Sequence, residues 1–180
     1  LMLTGPASVA HFQDVLRTIA YENTSEDPDT SAVRTLSVAA SDGTATSPIG
    51  TTSISVIAVN DAAMLDLDAN TAGVDFATTY SEGEAAKLIE DPTALISDVD
   101  DSQLASVTVT LTDAVDGTDE VLSATASGGV SVNFDSATAT LTLTGPADIS
   151  DFEAVLRSVS YEHTSDAPTS GDRHVTFVAN

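Results

Sequence analysis

The chain has 180 residues, and 28 acidic residues against five basic ones give it a formal net charge of −23. Because nucleic-acid binding needs a cationic surface that displaces counterions from phosphates, this charge excludes nucleic-acid binding and disfavours contact with an anionic membrane surface. The absence of cysteine excludes disulfides and thiolate metal sites. No apolar stretch approaches the ~20 residues that a membrane span needs, which predicts no membrane insertion.

An internal repeat determines how the remaining patterns are interpreted. Residues 3–7 return as residues 143–147, and 16 identities align residues 3–40 with residues 143–179. A spacing of 140 residues is the size of a domain and too long for a solenoid unit. We therefore predict a tandem array, in which residues 1–60 are the C-terminal part of one repeat. Residues 61–180 would be most of the next repeat, lacking its last strand or strands.

The first predicted element is a short amphipathic helix between Ser8 and Ile19. Its apolar residues recur every three or four positions, and Ser8 stands where an N-cap belongs. We expect the apolar stripe to face a core and a strand containing Tyr21 to follow directly. The polar run 23–31 has the composition of an exposed turn.

Alternation of apolar and polar residues predicts most of the remaining chain as β-strands. The alternation is strict over residues 105–112, which would place their apolar side chains on one buried face. Residues 130–134 and 139–144 alternate likewise and predict a hairpin through Asp135-Ser136. Further strands are expected where β-branched residues are abundant, at 34–40, 52–59, 64–68, 120–125 and 173–179.

An acidic run follows the predicted strand at 105–112. Because Asp116-Gly117 is a ready hairpin turn, we interpret the run as a polar loop. Its acidic members are Asp113, Asp116, Asp119 and Glu120.

The second copy repeats the helix, with Asp148 in the N-cap position and a strand containing Tyr161 expected to follow. Together these elements predict an all-β fold of antiparallel β-sandwich repeats with one short amphipathic helix per repeat. The apolar stripe recurs at Ile149, Phe152, Leu156 and Val159.

Catalysis is not expected. No nucleophile elbow, phosphate-binding glycine loop or zinc-protease signature occurs in the chain. The eight aromatic residues include no Trp, which leaves little to stack a sugar ring. The repeat also argues against imidazole chemistry, because His11, His163 and His174 are matched in the other copy by Asp151, Asn23 and Thr35.

Three motifs resemble one protein family. Residues 56–63 (VIAVNDAA) resemble the V-N-D-A-P junction that closes cadherin-like repeats in very large bacterial surface adhesins, with Ala63 in place of the usual Pro. Residues 96–101 (ISDVDD) resemble the Asp-x-Asp calcium-ligand motif of cadherins. The helix followed by YENTS, RTLSV and SDG resembles the closing half of the proteoglycan-type (CSPG) repeat. The chain thus resembles the cadherin-like and CSPG-like tandem repeats of large RTX-type surface adhesins.

The resemblance implies a cadherin/Ig-like β-sandwich with calcium at the junctions between repeats. Calcium takes about 6–8 oxygen ligands from carboxylates, carbonyls and waters. Asp98 and Asp100 alternate along a segment expected to be extended, so their side chains should point the same way and converge on one ion. The implied ligands are Asn60, Asp61, Glu82 (with Glu84 as the alternative), Asp98, Asp100 and Asp101.

The expected function is that of a calcium-stiffened extender repeat of a secreted bacterial cell-surface adhesin, partnered by neighbouring repeats of the same chain. One alternative is a module that binds a glycan or a protein through its end loops, and another is a homophilic contact. Unpaired sheet edges would also permit a homodimer. A further arrangement left open is that residues 1–60 complete the sandwich begun at 62–142.

Overall fold

The computed structural model describes residues 1–180, which divide into two units, Leu1–Val59 and Asn60–Asn180. All strand pairs are antiparallel and there are two short α-helices, which confirms the expected all-β class. Neither helix has the length and apolar character needed to cross a membrane.

The first unit contains one helix and one strand pair. Helix α1 spans Val9–Leu16, and the Ser8 hydroxyl accepts a hydrogen bond from the His11 N–H at 3.3 Å, as expected of an N-cap. Strand β1 (Arg34–Val38) pairs with strand β2 (Gly50–Ile54). Strand β2 therefore ends five residues before the predicted limit of 59.

Two expectations for the first unit were wrong. The apolar stripe of α1 does not face a core, since Val9 is 74% exposed and no residue of the helix is buried. The segment around Tyr21 forms no strand. In the second unit the equivalent strand, which contains Tyr161, lies between two other strands. The residues that would correspond to these two strands, 140 positions earlier, lie outside residues 1–59, so the segment around Tyr21 has no strand to pair with.

The second unit contains nine strands, one α-helix and one 3-10 helix. The repeat's helix α2 and the strand after it are both present, which confirms these two predictions. In chain order the elements are β3 Met64–Asp66, β4 Lys87–Leu88, β5 Leu95–Ser97, β6 Gln103–Leu111, the 3-10 helix Gly117–Asp119, β7 Glu120–Ser123, β8 Ser131–Asp135, β9 Thr140–Asp148, α2 Ile149–Leu156, β10 Ser160–His163 and β11 Val175–Ala179.

Three antiparallel sheets make up this unit. One has the strand order β11-β6-β9-β8, the second the order β4-β10-β7, and the third pairs β3 with β5. The hairpin of β8 and β9 is confirmed, with Asp135 opposite Thr140. The hairpin expected at Asp116-Gly117 was wrong, because β6 and β7 flank the 3-10 helix and belong to different sheets.

One apolar core joins the strands to α2. Phe152, Val155 and Leu156 of the helix are all fully buried, so the predicted stripe faces the core in this copy. Residues after 142 pair with β6, β7 and β8 of their own unit. The other fully buried apolar side chains are Ala94, Val107, Val109, Leu122, Leu141, Leu143 and Val159.

Candidate functional site

The loop between β5 and β6 carries the acidic motif at Asp98–Asp101. The Asp98 carboxylate accepts the backbone N–H groups of Asp100 and Asp101 through Oδ1, each at 2.9 Å. Such bonds from a side chain to the N–H two residues later turn the backbone. The segment is therefore a bend, and the extended geometry expected for it was wrong.

The segment before β3 reaches this loop across about 40 positions of sequence. The Asp61 N–H donates to Asp100 Oδ2, and the Asn60 side-chain amide donates to the Asp61 carbonyl. Asp98 and Asp100 thus use one carboxylate oxygen each on backbone N–H groups. The second oxygen of each carboxylate has no partner in the structure's hydrogen bonds.

A surface depression of about 490 Å3 opens beside this contact. Three carboxylates border it, from Asp61, Asp98 and Asp101, and no Lys or Arg lines it. Its other polar lining residues all carry side-chain amides: Asn60, Gln103 and Asn180.

The structure brings together most of the residues implied as calcium ligands, but not all of them. Asn60, Asp61, Asp98 and Asp101 line the depression, and Asp100 contacts the Asp61 backbone. The carboxylates are not arranged as a trio within 4.8 Å of one another. Two glutamates of the turn before β4 do not line the depression: Glu82 is exposed there, and Glu84 accepts the Ser81 N–H at 2.8 Å.

A second polar cluster, which the sequence did not predict, lies around the 3-10 helix. Its centre is Asp116, whose Oδ1 accepts the Thr169 hydroxyl at 2.6 Å. Asp116 Oδ2 accepts the Thr169 N–H at 2.8 Å and the Arg173 guanidinium at 3.1 Å. The Thr169 hydroxyl foremost, and then the other donors around it, lower the pKa of Asp116 from 3.8 to about 2.

Glu120 is the buried carboxylate of this cluster. Its side chain is fully buried, and its Oε1 accepts Arg173 Nε at 2.7 Å. The other oxygen, Oε2, is buried without a hydrogen-bond partner. Arg173 therefore supplies the positive charge that makes burial of this carboxylate tolerable.

The buried imidazole of His163 has a defined tautomer. The Ser165 N–H donates to Nδ1 at 3.2 Å, so Nε2 must carry the proton that bonds Asp116 Oδ2 at 2.9 Å. In the first unit, Asn23 Oδ1 accepts the Ser25 N–H at 3.0 Å. Asn23 and His163 are equivalent in the repeat, and both accept the N–H of the residue two positions later.

The cluster fits a structural role better than a metal site. Asp116, Glu120 and His163 offer three ligand atoms within 4.8 Å of one another. Arg173, however, already bonds both carboxylates, and His163 presents a proton to Asp116. A cation placed there would have to displace hydrogen bonds and would be repelled by the guanidinium. We infer that the cluster holds residues 163–173 against the 3-10 helix and β7.

Glu90 is buried and unpaired. It is 2% exposed, and neither carboxylate oxygen has a hydrogen-bond partner. Its neighbours are held in place, since the Ile89 N–H donates to Val159 and the Asp91 N–H donates to Leu67. Burial raises the pKa of Glu90 from 4.5 to about 7.

This glutamate should make the second unit less stable as pH rises. Below pH 4.5 the carboxyl is protonated in both states and contributes nothing; between pH 4.5 and about 7 only the unfolded chain has lost the proton. We therefore expect the free energy of unfolding to fall over that window by roughly 3 kcal/mol. Glu90→Gln should remove this loss, measured as the difference from the unsubstituted protein in urea unfolding at several pH values.

Glu162→Gln, which makes the same chemical change at an exposed position, should leave the pH dependence intact. If the free energy of unfolding changes with pH in the same way for all three proteins, the prediction is contradicted.

Comparisons of the chain with protein-family models, curated proteins and solved structures give no match. The functional proposal below is therefore based on the geometry of the polar sites alone.

Proposed function

We propose that this chain is part of a calcium-stiffened extender repeat of a secreted bacterial cell-surface adhesin. In this proposal calcium binds where the segment Asn60–Asp61 meets the loop Asp98–Asp101. The finer fold class that we propose is a cadherin/Ig-like β-sandwich. It is supported by the four-stranded and three-stranded antiparallel sheets, which contribute to one apolar core.

The contact of Asp61 with Asp100 is the observation that carries the proposal. Residues of two separate motifs, some 40 positions apart, lie together at one depression, as the resemblance to cadherin-like junctions implies. The donors available there are carboxylate and amide oxygens, which suit a hard cation such as calcium. No thiol or imidazole lines the depression, so softer metals have no preferred ligand there.

Bound calcium would act on charge and on backbone freedom. Its two positive charges would offset the mutual repulsion of Asp61, Asp98 and Asp101 in a chain whose net charge is −23. By binding donors from both segments, it would restrict movement of the residues that join one repeat to the next. Repetition of such stiffened junctions along an array of repeats would produce a rod.

A calcium titration followed by thermal unfolding tests this proposal. We expect the midpoint of the second unit to rise and to saturate with an affinity of roughly 0.1–1 mM, as in other extracellular calcium modules. Chelation with EDTA should reverse the rise. Magnesium at the same ionic strength should have much less effect, because it dehydrates reluctantly and demands octahedral geometry.

Two matched variants separate a specific site from general charge screening. Asp98→Asn keeps an oxygen that can accept the N–H groups of Asp100 and Asp101 but loses the charge, and we expect calcium affinity to fall at least about tenfold. Asp75→Asn loses the same charge at an exposed residue that makes no hydrogen bond, and affinity should be unchanged. Equal responses of the two variants, or equal effects of calcium and magnesium, would overturn the proposal.

No observation favours the glycan-binding alternative. Tyr80 and Tyr161 form an edge-to-face pair with ring centres 5.2 Å apart, but Tyr161 is only 8% exposed. Sugar rings stack on exposed aromatic faces, and this pair does not offer one.

A further inference from the structure

Helix α2 contacts the chain just before the acidic loop Asp98–Asp101. The Ile96 N–H donates to Glu153 Oε1 at 3.0 Å, and Arg157 Nε donates to the Ala94 carbonyl at 2.9 Å. The two side chains also bind each other, since Arg157 Nη2 donates to Glu153 Oε2 at 3.1 Å. Both of the residues that they hold, Ala94 and Ile96, are buried.

The start of the same helix contacts the chain just after the loop. The Ile149 N–H donates to the Ser102 carbonyl at 3.0 Å, and Gln103 Nε2 donates to Asp148 Oδ1 at 2.8 Å. Asp148 and Ile149 are the N-cap and the first residue of α2. Hydrogen bonds with this helix and its cap residues therefore flank the acidic loop on both sides.

Strand β5, which leads into the loop, has little other support. It pairs only with β3, through three residue pairs, and a two-stranded pair of that length is marginally stable. The side chain of Glu153 is 19% exposed, so the Ile96 N–H that it accepts is largely shielded from water. Loss of that acceptor would leave a buried donor unsatisfied, which favours movement of β5 away from the helix.

The loop itself carries charges that favour spreading. Asp98, Asp100 and Asp101 lie within four positions, and the Asp61 N–H bonds Asp100. No Lys or Arg lines the depression to offset their repulsion. A loop whose two ends are already held loses less conformational entropy when a cation orders it.

We propose that Glu153 and Arg157 are positioning residues of the cation site at this loop. They hold the backbone before the loop on α2 and so fix where the carboxylates of Asp98 and Asp100 lie. Neither residue lines the depression, so they act through the backbone and not as ligands. This inference rests on the calcium binding proposed above.

Backbone amide relaxation, measured by NMR in EDTA, tests the positioning without calcium. Glu153→Met removes the acceptor of the β5 N–H, and we expect the order parameters of Asp100 and Asp101 to fall from about 0.85 to below about 0.6. Glu153→Gln keeps an acceptor oxygen and should leave them unchanged. Arg157→Met is the second variant and should act in the same direction as Glu153→Met. The order parameters of β6 and β9 should not change in any of the three variants.

A calorimetric titration with calcium chloride measures the effect on binding. We expect Glu153→Met to weaken calcium affinity about tenfold, which corresponds to the cost of ordering roughly one more residue on binding. Glu153→Gln should bind within about twofold of the unsubstituted protein. Val132→Ala is the control for a general loss of stability, because it removes a contact of β8 with the core, and its affinity should be unchanged.

The two measurements separate failure of this inference from failure of the proposed function. Calcium binding that is equally tight in Glu153→Met and Glu153→Gln, with equal order parameters in the loop, would overturn the positioning role and leave calcium binding standing. If the unsubstituted protein binds no calcium, the proposed function fails and the relaxation data alone decide. Unchanged order parameters in Glu153→Met would then overturn the inference as well.

Discussion

Replacing Phe152 by alanine is expected to lower the free energy of unfolding of the second unit by about 3–5 kcal/mol. The ring is fully buried in the core on which α2 packs, so its removal loses apolar burial and leaves a cavity. Hydrogen exchange of the β6 and β9 amides would measure the loss, because both strands lie within this unit and border the same core.

Phe12→Ala is the matched control for this substitution. Phe12 occupies the same position in the repeat, but its helix contains no buried residue. We therefore expect its removal to cost less than about 1 kcal/mol in any unfolding measurement. Similar losses from both substitutions would mean that α1 packs as α2 does and would contradict its exposed placement.

Replacing Arg173 by methionine is expected to cost about 3–5 kcal/mol, because it leaves the buried Glu120 carboxylate without a cation. Glu120 Oε2 already has no partner, so the loss of Arg173 would leave only the weak contact of Oε1 with the Asp116 N–H at 3.3 Å. Urea unfolding followed by circular dichroism would measure the change.

The internal repeat and the ion pair both provide controls. Arg34→Met changes the equivalent residue of the first unit, whose guanidinium bonds only the Ala32 carbonyl, and should cost under about 0.5 kcal/mol. Glu120→Gln combined with Arg173→Met should be more stable than Arg173→Met alone, because no buried charge is then left unpaired. If the double variant is as unstable as the single one, the charge on Glu120 is not the cause.

The alternation of apolar and polar residues predicted the positions of these strands, because it depends only on residues that are close together in sequence. Residues 105–112 became β6 and residues 130–144 became the hairpin of β8 and β9, with ends shifted by a few residues. Burial could not be predicted in the same way. Helices α1 and α2 have the same apolar residue at three of their eight positions, yet only α2 contacts strands that cover its apolar face.

The two polar sites were predictable to different degrees. The loop at Asp98–Asp101 and the segment at Asn60–Asp61 were recognisable because their residues are adjacent in sequence. The Asp116 cluster was missed, because its contacts span 47 to 57 positions and the acidic run resembled a solvated turn. One signal pointed to it: only five basic residues occur in the chain, and Arg173 matches one of them, Arg34, in the other copy.

The shared bond of Asn23 and His163 has a consequence for how such repeats diverge. Each side chain accepts one N–H from the serine two residues later, so the position selects for an acceptor atom at a given reach and not for a particular amino acid. Asn meets that requirement with an amide oxygen and His with a ring nitrogen. A pattern of acceptor, any residue and serine therefore matches both copies at a position where their residues differ.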